Sequence, residues 1–396
     1  MNSLTDRSDD ENFSLVLGGP LYQLLMRAHM GSCAASLVKR RILVISLFSW
    51  LPLLALSLVF RDQVAEAIKV PFLYDIDVHV RFLLAVPLML LAELVVHQRI
   101  APLVKQFRQR EIISGDASPR FQAIIDSALA LRNSVFIEVA LLILVFTVGH
   151  YLWSHQMALE TATWFAVSHH GQSQLSPAGY WYSYVSIPVF QFLLVRWYFR
   201  IFIWMRFLWQ IARMPLSMVP THPDRAGGLG FLGGSAAAFV PLILAQSVLV
   251  AGMIANRIFH EGASLLAFKP EIAAIVALIL LTVFAPLCAF APRLAQAKRL
   301  GMLEYGNLAC RYVREFDHKW LRAASPPDEP LVGNADIQSL ADLAGSFDVI
   351  KEMRLVPFDK TMVLQTAIVA LLPVSPLLLT LISFEDIVKT LLGILL

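Results

Sequence analysis

Apolar residues recur along the chain in seven runs of about twenty, the length an α-helix needs to cross the hydrocarbon layer of a bilayer. The runs extend from Arg41 to Phe60, Phe82 to Ile100, Ser134 to Leu152, Trp181 to Phe202, Ala236 to Ile258, Ile272 to Ala291 and Thr361 to Ile382. Pro52, Pro87, Pro188, Pro241, Pro286 and Pro373 fall inside them, where each predicts a kink and a freed carbonyl.

The pattern changes between the sixth and seventh runs. Leu294, Leu300, Leu303, Leu308, Tyr312, Val313 and Phe316 supply the apolar face of a helix leaving the sixth span, with basic residues between them. The stretch from Ser325 to Pro330, with three prolines, breaks it. Asn334 is placed to cap a second helix whose face is Ile337, Leu340, Ala344, Phe347 and Ile350, and Pro357 ends it. The predicted fold is therefore all-α, a polytopic membrane bundle of about seven transmembrane helices with a cytoplasmic helical hairpin. Its parts are residues 1–40 (an N-terminal segment with an interfacial helix from Pro20 to Arg27), 41–291 (six spans), 292–360 (the hairpin) and 361–396 (the seventh span). The end of that last part, Ser383 to Leu396, is too short to span and reads as an outer interfacial helix.

Charge orients the bundle. Of 32 lysines and arginines, 24 fall in the N-terminus and the segments 97–133, 206–235 and 293–360, against six in the segments on the other face. The positive-inside rule makes the first set cytoplasmic, the N-terminus included. Composition agrees: 57% of residues are hydrophobic and 15% charged, where a soluble chain carries roughly 25% charged. That excludes a soluble enzyme or a nucleic-acid-binding regulator. The N-terminus lacks a basic stretch followed by a short apolar one, so no cleaved signal peptide is expected. Cys33, Cys288 and Cys310 lie on the cytoplasmic side or at span ends, which argues against a disulfide framework.

Ionisable residues inside spans are costly and mark candidate sites. Glu93 lies in the second span, Glu138 one turn into the third, and Arg196 and Arg200 near the cytoplasmic end of the fourth. Matching depth predicts Glu138 paired with Arg196 or Arg200, and Glu93 near Gln191 or Arg196. These five residues are the candidate ion pathway, or alternatively structural ion pairs. A second candidate is the loop from Thr221 to Gly234, where His222, Asp224 and Arg225 precede Gly227, Gly228 and Gly230. Gly228, Gly230 and Gly233 spell a dinucleotide fingerprint, but no strand precedes them. What survives is a glycine-rich approach to a helix N-terminus beside an arginine, which suits an anionic lipid or phosphorylated ligand. On the outer side, His150, His155, His169 and His170 are weak metal candidates, since their spacing matches no ligand pattern.

Two strings, from His222 to Phe231 (HPDRAGGLGF) and from Gly333 to Leu343 (GNADIQSLADL), resemble those of an uncharacterised family of bacterial multi-pass inner-membrane proteins. The resemblance implies a bacterial inner membrane; it carries no activity and no functional residue. From the residues themselves, an ion channel or transporter ranks first, as a homo-oligomer in the lipid bilayer with no cofactor beyond bound lipid. No complete catalytic constellation is present. A membrane-embedded enzyme or lipid-binding protein acting at the 222–234 loop therefore ranks second, and a sensor reaching a soluble partner through the hairpin third.

Overall fold

The computed structural model describes residues 13–20, 23, 35–60, 70–152, 164–169, 172–322 and 333–381. Seven of its helices are long and apolar enough to cross a membrane. In chain order the helices are α1 (Ala35–Val59), α2 (Ile76–Gln109), α3 (Ser118–Arg132), α4 (Val135–Leu152), α5 (Pro177–Ala212), α6 (Val240–Glu261), α7 (Leu265–Cys288), α8 (Ala291–Asp317), α9 (Ala335–Lys351) and α10 (Lys360–Leu381). All except α3, α8 and α9 are the candidate spans, so the chain is a multi-pass helical membrane protein. A two-stranded antiparallel hairpin, β1 (Ala166–His169) with β2 (Gln172–Leu175), interrupts the helical pattern between α4 and α5. The tail from Ser383 and the helix from Pro20 to Arg27 lie largely or wholly outside the described residues.

Hydropathy gives the spans correctly but underestimates two of them. Helices α2 and α5 have 34 and 36 residues, about 51 and 54 Å at 1.5 Å per residue. Both exceed a hydrocarbon layer of about 30 Å. Their C-terminal halves pack in a layer with α3, the 214–239 loop and the bases of α8 and α9. There Ile100, Val104 and Phe107 of α2 and Phe207, Leu208 and Ile211 of α5 are buried around Phe121 of α3. Hydropathy marks where a helix is apolar all round. It misses the continuation once one face turns polar.

Helix α2 is the axis of the bundle, packed by α1 and α6, and it is among the most buried spans. Helix α4 lies at the opposite extreme: Phe136 is 82% exposed and Ile143 58%, as befits side chains that meet lipid. Three spans each contain one π-helical turn: Arg81–Ala85 in α2, Val145–Gly149 in α4 and Tyr182–Ser186 in α5. Such turns free a backbone carbonyl and gather at functional sites. In α4 the Gly149 carbonyl accepts the Gln191 side-chain amide at 3.1 Å. The close approach leaves little space at Gly149, where a Cβ would stand 2.4 Å from Gln191 Oε1 and the Gln191 side chain would have to shift.

Helix α8 buries only Leu294 and Gly301, and α9 only Ile350. The pair is pinned at its base, where the Arg293 guanidinium donates to the Ala212 and Arg213 carbonyls and Lys298 to the Met353 carbonyl. Near its far end Lys319 and the Trp320 indole both bond the Asp336 carboxylate.

Candidate functional site

At the level where α4 begins, four helices converge on Glu93. Its carboxylate is 6% exposed and is bonded by Arg41 of α1 and by Arg200 at 2.8 Å, with Arg196 at 3.5 Å. Arg196 also pairs with Glu138 at 3.4 Å. Arg132, at the end of α3, adds a fourth guanidinium. Its nitrogens donate to the Asn133 side chain and the Ser14 carbonyl, and it pairs with no carboxylate among the described residues. Four arginines thus surround two glutamates. Arg200 also stacks on Trp197, 4.9 Å from the ring centroid.

Residues 13–19 close this cluster from within. Phe13, Ser14, Leu15 and Val16 are buried in the bundle. Arg132 and Arg200 take the carbonyls of Ser14 and Val16, His97 meets the Ser14 hydroxyl at 3.0 Å, and the Gly19 amide donates to Asn133. Gly18, at φ 145°, lies so close to Arg132 that a Cβ would clash with its guanidinium.

A second buried ionic cluster lies twelve residues back along α2, about 18 Å away. Arg81 bonds Asp77 at 2.5 Å and the Tyr182 hydroxyl at 3.0 Å. Neighbouring Asp75 accepts from the Trp164 indole at 2.8 Å, from Asn256 at 3.2 Å and from the Val78 amide. Between the two clusters, buried hydroxyls run along the faces of α1 and α5. Ser186 donates to the Ser49 carbonyl at 2.7 Å, and Ser183, fully buried one turn away, meets His150 at 3.5 Å. Several buried polar atoms on this route have no hydrogen-bond partner among the described residues: Arg41 Nε, Ser46 Oγ, Ser49 Oγ, Asp77 Oδ1 and Arg81 Nε. Arg41 Nε belongs to the Glu93 cluster and Asp77 Oδ1 and Arg81 Nε to the second, with Ser46 Oγ and Ser49 Oγ on α1 between them.

The glycine loop is built differently. Asp224 accepts from the amides of Ala226 at 2.8 Å, Gly228 at 3.1 Å and Gly230 at 2.8 Å, and His222 lies 2.9 Å from the same carboxylate. The amides that an anionic ligand would need are thus bonded to the chain's own carboxylate. Positive φ at Arg225 (53°), Gly227 (62°) and Gly228 (95°) curls the backbone around it. Arg354 fastens the result, donating to the carbonyls of Asp224 and Arg225. Arg225 itself points outward to Glu352; that pair is more than half exposed, worth at most about 1 kcal/mol.

Burial pushes the Asp224 carboxyl up, but the three amide bonds and His222 outweigh it and hold the group below its usual range. A carboxyl depressed on folding stabilises the fold above its unfolded value of about 3.9, and the gain is lost as pH falls through the lower folded value. Asp224→Ala is therefore expected to cost about 2–3 kcal/mol at neutral pH by orphaning three amides. Chemical unfolding in detergent at a series of pH values should show the gap from wild type closing in acid.

The sequence candidates thus divide. Glu93, Glu138, Arg196 and Arg200 meet in one cluster, whereas Gln191 serves the α4 π-turn. His222, Asp224, Gly228 and Gly230 build a self-satisfied loop. Gly227 packs against Met218 and Met353. His150 meets Ser183 and lies 5.0 Å from the Tyr184 ring centroid. His155, His170 and the His169 side chain lie outside what is described. Among the described residues no three His, Cys, Asp or Glu side chains gather as a metal site would require. Arg41, Arg132, Asp77, Arg81 and Tyr182 belong to the two clusters yet carry no motif. The one available signal was charge or hydroxyl at the edges of apolar runs. No family model, curated protein or solved structure matches the chain.

Proposed function

We propose that the chain is a membrane transport protein of the channel or transporter class, and that it moves protons between the two buried ionic clusters. The observation carrying this reading is the line of orphaned polar atoms and buried hydroxyls on α1, α2 and α5, with carboxylates Glu93 and Asp77 at its ends. Carboxylates within spans are typical of proton relays, and a serine hydroxyl both donates and accepts. The packing also favours protons over larger ions. Ser49, Ser183 and Ser186 are fully buried, which leaves no room for a hydrated ion. The lysine and arginine bias puts the α8–α9 side in the cytoplasm, so the Glu93 cluster is the inner station and Asp77 lies toward the outer one.

Proton flux into liposomes under an imposed pH gradient tests the reading. Wild-type protein is expected to exceed empty liposomes, and Ser49→Ala, which removes one relay hydroxyl and little volume, to lower the rate by about tenfold or more. Equal rates for wild type and Ser49→Ala, or for wild type and empty liposomes, would refute the relay.

A further inference from the structure

The relay leaves the excess positive charge around Glu93 unexplained, and a second feature of the same seam accounts for it. Between α4 and α5 lies a narrow cleft bordered by Arg132, Glu138, Arg196 and Arg200 at one end and by Ile137, Leu141 and Phe199 along its length. Farther along the same two helices is an apolar groove of about 350 Å³, lined by Leu142 and Phe146 of α4, Val189 and Leu193 of α5, and Val44 and Phe48 of α1. Glu138, Leu142 and Phe146 follow one another at four-residue steps on α4, and Val189, Leu193, Arg196 and Arg200 at three- and four-residue steps on α5. Each series therefore forms one stripe, and the charged space and the apolar groove succeed one another along a single seam.

The seam opens toward lipid. Phe136, Val139 and Ile143 on α4 are exposed, and Arg132 stands immediately before α4 enters the bilayer, at the level of headgroups. Glu138 is engaged by Arg196, and Glu93 by Arg41, Arg196 and Arg200. Among the described residues Arg132 bonds only neutral oxygens. Burial and the adjacent Arg200 charge hold its guanidinium down to about 10, a strain that an anion at this position relieves.

We propose that this seam binds one anionic phospholipid from the surrounding bilayer, its phosphate between Arg132 and Arg200 and an acyl chain in the groove. An arginine fork suits a phosphate better than any neutral headgroup, and the groove selects a lipid over a free anion. The site touches the inner end of the proposed relay but does not depend on it.

Native mass spectrometry of the full chain, transferred from vesicles of equal phosphatidylglycerol and phosphatidylcholine into mild detergent, tests the site. Wild type is expected to carry phosphatidylglycerol in preference to phosphatidylcholine. Arg132→Gln should lower that retention about tenfold, the worth of one charge-assisted hydrogen bond. Val189→Trp, which fills the groove without touching a charge, should lower it comparably, whereas Arg132→Lys, keeping the cation, should retain most of it. Excess inorganic phosphate should leave the bound lipid in place. Wild-type retention by Arg132→Gln or by Val189→Trp, no preference between the two lipids, or displacement by inorganic phosphate would each overturn the proposal. A proton leak identical to empty liposomes would refute the relay while leaving this result standing.

Discussion

Glu93→Ala is expected to destabilise the bundle more than any other single substitution, by about 3–5 kcal/mol, because it strands buried arginine charge with no counter-ion. Three guanidinium groups converge on this carboxylate, and Arg41, Arg196 and Arg200 are all less than 10% exposed. Removing the carboxylate replaces three attractions with mutual repulsion in a poorly solvated interior. The logic is asymmetric: deleting a cation together with the carboxylate, as in Arg41→Met with Glu93→Gln, should recover part of the loss. Unfolding midpoints in mixed detergent, measured for the single and double variants, check both statements. A loss below about 1 kcal/mol for Glu93→Ala would mean that the cluster is far more hydrated than its burial implies.

The second large effect belongs to the N-terminal segment. Phe13 is fully buried and its ring lies 5.1 Å from that of Phe207, at 29°. Truncation to alanine is expected to cost about 3–5 kcal/mol, the range for large aromatics in close-packed interiors. Its consequence reaches further, because Phe13 anchors the carbonyls of Ser14 and Val16 that Arg132 and Arg200 hold. Phe13→Ala should therefore make residues 13–20 newly sensitive to protease at temperatures where wild type resists cleavage. Unchanged melting and unchanged protection would show that the segment is carried passively by the arginines.

The spans were legible because length and apolarity alone specify them. The clusters were less so, for reasons that differ residue by residue. Arg41 follows Lys39 and Arg40, and a triplet of cations at a span edge reads as a headgroup anchor. Its partner Glu93 is 52 positions away, and only the packing of α1 on α2 brings them together. Arg81 lies one residue before the apolar run that starts at Phe82, so hydropathy leaves it outside the second span. In the fold the helix already begins at Ile76, and Asp75 and Arg81 are bonded by Trp164 and Tyr182 respectively. Depth matching did succeed for Glu138 with Arg196, where both residues sit on long regular helices and position translates directly into height. It put Glu93 near Gln191 or Arg196; Arg196 is the one that meets it, at 3.5 Å, whereas Gln191 is claimed by the Gly149 carbonyl that the π-turn of α4 exposes. Periodicity also had no means of showing residues 13–16 inside the bundle, since a segment that short is apolar without being a span.

The glycine loop teaches a related lesson. Its composition suggests a site for an anionic ligand, whereas the amides are held by the chain's own Asp224. Nothing in residue type distinguishes amides that await a ligand from amides curled around a neighbouring carboxylate. The difference lies in the positive φ values at Arg225, Gly227 and Gly228, which are backbone facts.

The most direct test of the relay is whether Asp77 takes up and releases a proton while buried. Infrared difference spectra recorded on a pH jump, with wild type and Asp77→Asn in the same lipid, report this through the carbonyl stretch of a protonated carboxyl. The account predicts a pH-driven carboxyl band in wild type that is absent from Asp77→Asn, together with loss of proton flux in that variant. Spectra with no band lost on substitution, or flux that survives Asp77→Asn unchanged, would contradict it.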